Sequence, residues 1–281
     1  MKVYEAVLAG AEMLKSVCEN PRFESELFLA FTLDTDRRYI IINRDTDLKE
    51  EDLKHFFGLI SERKKNIPYQ YIVGKKCFMG LEFEVSPAVL IPRPETEILV
   101  EEVLKRLKPN SRFLDIGTGS GAIAVSIAKY SINSKGYAVD ISNDALAIAK
   151  KNAKRNAVDG KIKFIKSDLY SSLPDEAEFD FIISNPPYIR SKDIEKLQEE
   201  VQKEPLIALD GGKDGLLFYR RIIKDAGKHL KADGYIAFEV GYNQAGEVKD
   251  LLKNANFFSL EVIKDLQGID RVVIGKRELF S

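Results

Sequence analysis

Apolar residues recur at helical spacing through the first quarter of the chain. Val3, Val7, Leu8, Ala11 and Leu14 repeat every three or four positions, as do Phe23, Leu27, Phe28 and Phe31 after Pro21. Such spacing gathers each set on one helix face, and proline suits a first helical turn. Leu53, Phe56, Phe57 and Ile60 form a third stripe behind Glu50-Glu51-Asp52, acids that complement the positive end of a helix dipole. Residues 1–67 are therefore expected to form a small helical domain. Residues 68–74 and 77–85 are aromatic and β-branched with glycines at the breaks. They predict the two strands of a β-hairpin connecting domains over residues 68–90.

Past Arg112 the period changes. Short apolar runs at 112–116, 136–140, 161–165, 179–184, 234–240, 257–263 and 270–275 read as strands, and the early ones alternate with Ala-, Ile- and Leu-rich helical stretches. Strand–helix alternation is the signature of a doubly wound, mostly parallel sheet. The last two strands are separated by only Lys264-Asp265-Leu266-Gln267-Gly268, too short for a crossover helix, so they should pair antiparallel. The expected architecture is α/β, a Rossmann-like seven-stranded sheet over residues 91–281.

Composition narrows the function classes. Of 281 residues, 44% are hydrophobic and 31% charged, and no run approaches the ~18 apolar residues of a membrane span. The first residues carry no export signal. Cys18 and Cys77 stand apart without metal-ligand spacing, and His55 and His229 are the only histidines. The plain expectation is a cytoplasmic protein with reduced thiols, no metal, no membrane association, and no Ser-His or Cys-His catalysis. A net charge of −1 lacks the basic footprint of a nucleic-acid binder, and residues 1–74 hold 11 Lys and Arg against 13 Asp and Glu.

Candidate chemistry lies at strand ends, where open α/β sheets bind ligands. Gly117-Thr118-Gly119-Ser120-Gly121 closes one strand and opens a helix. Its G-x-G-x-G spacing is shorter than the pyrophosphate cradle of dinucleotide folds. It suits a nucleoside cofactor without phosphate, whose amino-acid tail crosses the loop. Asp140 ends the next strand, where a carboxylate can accept both ribose hydroxyls; Asp168 follows the third and could accept an exocyclic adenine amine. Asn185-Pro186-Pro187-Tyr188 follows the run Phe179-Asp180-Phe181-Ile182-Ile183-Ser184. Nothing in it is a strong base, which suits methyl transfer from a sulfonium to a neutral nitrogen. The Asn185 side-chain carbonyl and the Pro186 backbone carbonyl can each accept one N–H of a conjugated NH₂ group, while Tyr188 offers a flat face. Pro92 and Pro94 hold Arg93 extended, which by itself reads as a rigid joint before a helix.

At these residues the chain resembles the class I S-adenosylmethionine-dependent methyltransferases, and more closely the release factor glutamine N5-methyltransferases. The matching segments are Pro68-Tyr69-Gln70-Tyr71-Ile72-Val73-Gly74, Phe78-Met79-Gly80, Ile91-Pro92-Arg93-Pro94-Glu95-Thr96-Glu97, the glycine loop, Asn185-Pro186-Pro187-Tyr188-Ile189, and Glu204-Pro205 with Ala208-Leu209-Asp210-Gly211-Gly212-Lys213-Asp214-Gly215-Leu216. The resemblance implies that Gly117, Thr118, Gly119, Ser120, Gly121, Asp140, Asp168 and Asn185 hold S-adenosyl-L-methionine, yielding S-adenosyl-L-homocysteine. It further implies that Arg93 closes over the cofactor and that Asn185, Pro186, Pro187 and Tyr188 hold a glutamine from the Gly-Gly-Gln loop of a peptide chain release factor. The N-terminal domain becomes the docking surface for that partner, with the enzyme a monomer and no stable nucleic-acid binding.

An adenine-N6 methyltransferase acting on DNA or RNA is the other enzyme reading, because adenine also presents a planar, conjugated NH₂. Duplex DNA would require base flipping and a phosphate-binding surface, for which the chain has no basic stretch. A cofactor-binding regulatory module without catalysis would have no need of an intact Asn-Pro-Pro-Tyr loop.

Overall fold

The computed structural model describes residues 1–174 and 176–277. Packing divides them into two units, one of residues 1–74 with 198–203 and one of the remainder. The first unit holds α1 (Val3–Leu14), α2 (Pro21–Thr32), α3 (Arg37–Ile42), α4 (Glu50–Arg63) and the short α5 (Tyr69–Val73). The helical stripes are its core, with Val3, Val7, Leu14, Phe28, Phe56 and Ile60 buried together. Tyr69, Ile72 and Val73 pack on that core. Within residues 68–74 the chain therefore forms the helix Tyr69–Val73, capped by Pro68 and Gly74, and not the expected strand. Their β-prone composition yields to the i, i+3, i+4 placement of those three side chains against other helices. Arg63, only 1% exposed, donates to Glu24 at 2.7 Å and to Glu200 at 2.6 Å. A buried guanidinium is tolerable only when its donors are paired this way, and the pairing ties the 198–203 segment to the helices.

The second unit opens with the hairpin β1 (Lys75–Phe78) and β2 (Leu81–Glu84). The stretch 77–85, expected as one strand, is split by a turn in which Met79 and Gly80 have φ of 50° and 69°. Positive φ at both central residues matches the twist of a two-residue hairpin. There follow α6 (Pro94–Arg106), β3 (Arg112–Ile116), α7 (Ala122–Tyr130), β4 (Lys135–Asp140), α8 (Asn143–Arg155), β5 (Ile162–Lys166), β6 (Phe179–Ser184), α9 (Leu217–His229), β7 (Leu230–Glu239), α10 (Ala245–Asn254), β8 (Phe257–Lys264) and β9 (Asp270–Arg277). The hairpin belongs to this unit through α8. Buried Asn152 accepts from Glu84 N at 2.7 Å and donates to the carbonyls of Glu84 and Ser120, both at 2.9 Å.

The seven strands run β5-β4-β3-β6-β7-β9-β8, with β9 antiparallel to both neighbours and the other pairings parallel. The expected Rossmann-like sheet and its terminal antiparallel pair are both present. Alternate residues feed two cores. Leu114, Ile182, Ile236 and Val273 face one with residues of α9 and α10, and Phe113, Phe181, Ile183 and Ile274 face the other with α6 and α7. The chain travels outward from β3 through β4 to β5, then returns to pair β6 on the other side of β3. This reversal opens a crevice at the carboxyl ends of β3 and β6, where the glycine loop and the 185–188 loop begin. No described helix is long and apolar enough to cross a membrane.

Candidate active site

The glycine loop is set from below by Asp115, the last acid of β3. This fully buried carboxylate accepts from Thr118 Oγ1 at 2.6 Å and from the Ala124 amide at 3.2 Å. Burial pushes its pKa up to about 7 against those two hydrogen bonds. Gly117 and Gly119 have φ of 73° and 54°, and a Cβ on either would project into open space. Both residues line a cleft of about 210 Å³. Bare backbone on that side is what close approach of a ligand requires.

Asp140 borders the same cleft. The Gly119 amide donates to its Oδ2 and the Ser142 amide to its Oδ1, each at 2.9 Å, which fixes the carboxylate plane and leaves each oxygen a further lone pair. Burial raises its pKa above the ordinary value, opposed by those amides. Asp168 also lines the cleft, ion-paired to Arg221 Nη2 at 2.7 Å. Ile141, Leu169, Phe218 and Ile222 add apolar wall to the cleft. Acids beside bare glycine backbone suit the hydroxyl and amine donors of a nucleoside, so the lining fits a nucleoside cofactor.

Asn185, Pro186 and Pro187 form the wall at the end of β6. The loop is held from several sides. Ser184 Oγ donates to the Ile116 carbonyl at 2.7 Å, locking the two strand ends together. Gln244 Nε2 donates to the Tyr188 carbonyl at 3.1 Å while its Oε1 accepts from the Gly241 amide at 3.1 Å. A Cβ on Gly211 would sit 2.7 Å from the Pro187 oxygen, so only glycine lets that strand of chain lie against the loop. Behind it, Glu239 ends β7 at 2% exposure. Its Oε2 accepts from Thr96 Oγ1 at 2.5 Å, and Asn185 Nδ2 lies 3.2 Å from the same hydroxyl.

Two family models match the chain, one described as the PrmC N-terminal domain over residues 5–74 and one as the methyltransferase small domain over residues 94–212. A release factor glutamine methyltransferase from Clostridium acetobutylicum is 43% identical over 99% of this chain and 99% of its own length. One from Aquifex aeolicus is 38% identical over 95% of each chain. The chain belongs to the release factor glutamine methyltransferase family. Its fold also resembles a Pyrococcus furiosus methyltransferase, with TM-score 0.57 and 23% identity over 78% of this chain and all of that one.

Within this family member the crevice brings together Gly117, Gly119, Asp140, Asp168, Asn185, Pro186 and Pro187. Thr118, Ser120, Gly121, Arg93 and Tyr188 do not line the cleft. Thr118 and Ser120 are buried, and a Cβ on Gly121 would meet Ala149 at 3.1 Å, so that glycine serves the approach of α7 to α8. Arg93 pairs with Glu204, whose other oxygen accepts from the Ile91 amide at 3.0 Å. That pairing anchors the chain just before Pro205, Ile207 and Ala208, which do line the cleft. Tyr188 sits behind the loop with its hydroxyl 3.5 Å from Glu239 Oε1, and burial raises its pKa well above the ordinary phenol value.

Sequence reasoning missed Glu239 and Gln244, and quoted Thr96 and Glu204 within matching segments without giving either a role. A signal for Glu239 existed. It is the one acid in the run Tyr235-Ile236-Ala237-Phe238-Glu239-Val240, at the carboxyl end of a buried strand, where a charge is costly unless it has a task. Thr96 lay within the Ile91–Glu97 segment, which was read as a helix start, for its prolines and for Arg93.

Proposed function

We propose that this chain is a protein-(glutamine-N5) methyltransferase whose 185–188 loop presents a release-factor glutamine amide to S-adenosylmethionine held over Gly117, Gly119, Asp140 and Asp168. The observation that carries the reading is that one crevice is walled by both the glycine loop and the 185–188 loop. When bound, the cofactor supplies a methyl group on a positively charged sulfur. Asp140 would hold the ribose hydroxyls, Asp168 the adenine amine, and the bare Gly117 and Gly119 backbone the amino-acid tail.

An amide nitrogen is a weak nucleophile because its lone pair is delocalised into the carbonyl. The Asn185 side-chain carbonyl and the Pro186 carbonyl would each accept one of its N–H bonds, pinning the NH₂ and favouring a pyramidal nitrogen whose lone pair is uncoupled from the carbonyl and faces the cofactor. Methylation would leave the amide nitrogen cationic and strongly acidic, so one N–H proton would pass to water without a protein base, while Asn185 and Pro186 keep hold of the nitrogen. Alignment of this kind is worth roughly 7–11 kcal/mol, and the apolar wall favours a reaction that disperses charge. The helical unit would dock the release factor, and a cytoplasmic location follows from that partner.

Purified protein, labelled cofactor and a release factor should give label on the glutamine of its Gly-Gly-Gln loop, located by mass spectrometry of the peptide. Asn185→Ala should abolish transfer while cofactor affinity stays within a few-fold. Label recovered only in nucleic acid from a cell extract would overturn the reading in favour of an adenine target.

A further inference from the structure

The side-chain amide of Asn185 can serve the reaction in only one of its two orientations. With Oδ1 toward the crevice it accepts a substrate N–H; turned over, it offers an N–H to an N–H. Nothing in the 185–188 loop itself selects between them. The selection lies behind it, in three side chains from three elements.

An ionised carboxylate only accepts hydrogen bonds. Glu239 Oε2, 2.5 Å from Thr96 Oγ1, therefore takes the single hydroxyl proton of Thr96. The Thr96 oxygen is left with lone pairs alone, so the Asn185 group 3.2 Å away must be the NH₂. Asn185 Oδ1 is then turned to the crevice that the residue lines. If Glu239 carries a proton, the order of donors reverses. Glu239 donates to Thr96, the Thr96 proton is freed for Asn185, and the favoured partner on Asn185 becomes Oδ1. Its NH₂ then faces the substrate amide.

We propose that Glu239, acting through Thr96, is a positioning residue that sets which end of the Asn185 amide meets the substrate, and that only its ionised form sets it productively. This rests on the glutamine-methylating role given above for Asn185. The groups facing the carboxylate are Thr96 and Glu95 of α6, Asn185 and Tyr188 of the loop after β6, and Arg271 of β9; the Tyr219 hydroxyl from α9 donates to the Glu239 backbone carbonyl at 2.9 Å. Burial pushes the Glu239 pKa up to about 7, opposed by the hydrogen bond from Thr96, by the Arg271 charge and by a direct hydrogen bond from the Asn185 side chain, while Glu95 adds to the rise; that direct bond favours the same NH₂-inward orientation of Asn185. The relay therefore changes state in the range where the enzyme would work.

The test measures kcat/KM for the release factor at saturating cofactor from about pH 5.5 to about pH 8.5. Saturation removes any effect of the Asp115 titration on cofactor binding, and comparison with Glu239→Gln separates the Glu239 ionisation from that of Asp115 under the cofactor loop. Wild type should rise through one ionisation near neutrality, and Glu239→Gln should lose that ionisation. Thr96→Val should lower kcat/KM about 10-fold or more with cofactor affinity unchanged, and Thr96→Ser should restore it. Retention of the wild-type profile by Glu239→Gln, Thr96→Val within twofold of wild type, or Thr96→Ser as defective as Thr96→Val would each overturn the relay. A second readout needs no turnover. The Asn185 side-chain ¹⁵N resonance, assigned by its loss in Asn185→Ala, should titrate in wild type and stay fixed in Glu239→Gln. A resonance that is flat in wild type, or that moves alike in both, refutes the relay even if the release factor proves not to be the substrate.

Discussion

Replacing Gly215 by alanine should damage the loop from a distance. Gly215 has φ of 79°, and an added Cβ would collide with the Tyr188 carbonyl oxygen and lie 2.5 Å from Gln244 Nε2. Left-handed backbone costs a non-glycine residue about 1–2 kcal/mol. Displacing Gln244 from the Tyr188 carbonyl removes a hydrogen bond worth about 0.5–1.5 kcal/mol. Together these give a loss of about 1.5–3.5 kcal/mol, or a fall of roughly 3–14 °C in the thermal midpoint of a unit this size. The collision also pushes on Tyr188, three residues from Asn185. Misplacing a reacting group by about 1 Å can cost about 100-fold, so kcat should fall far more than cofactor affinity. Calorimetry, methyl transfer and titration with S-adenosyl-L-homocysteine separate the three effects. Gly227→Ala is the control, since a Cβ there in α9 meets nothing within 4 Å and should stabilise by about 0.5–1 kcal/mol. A Gly215→Ala enzyme with wild-type midpoint and turnover would show that Gly215 and Gln244 do not brace the loop.

Two further outcomes test the cofactor side. Asp140→Asn replaces one acceptor by an NH₂ that must face the Gly119 or Ser142 amide, so affinity for S-adenosyl-L-homocysteine should fall about 10- to 100-fold by calorimetry; an unchanged affinity would remove Asp140 from the cofactor site. Asp115 has a folded-state pKa raised to about 7 from an ordinary 3.8, so the folded chain holds that proton more tightly than the unfolded one. Its contribution to stability is complete below about pH 4 and is lost as pH rises to about 7, by at most roughly 1.4 kcal/mol per pH unit. Urea unfolding should show wild type losing stability relative to Asp115→Asn across that window, and a constant difference would contradict the raised value.

Long-range order was legible where periodicity was long. Helical stripes at Val3–Leu14 and Pro21–Thr32 and the run Phe179–Ser184 were all found in place, because burial of one face fixes helix phase and burial of both faces fixes a parallel strand. The failure at residues 68–85 has the opposite cause. In five-residue segments aromatic and β-branched content cannot separate a strand from a helix, and the difference is made by what lies alongside. The same distinction runs through the site. Gly117, Gly119, Asp140, Asp168 and Asn185 could be read because each sits at a fixed offset from a strand end, so chain order alone brings them to one crevice.

Thr96 and Glu239 could not be read that way. They stand 143 residues apart, on α6 and β7, and their relation depends on how a helix start packs beside a strand end. The proline pair that drew attention to Arg93 has its structural consequence three residues later, in starting α6 so that Thr96 points at Glu239. Arg93 itself braces Glu204. A loop able to receive an amide is thus encoded locally, whereas the polarity with which it receives that amide is encoded by tertiary contact. Variants of the first kind should abolish transfer at every pH, and variants of the second should change how transfer depends on pH.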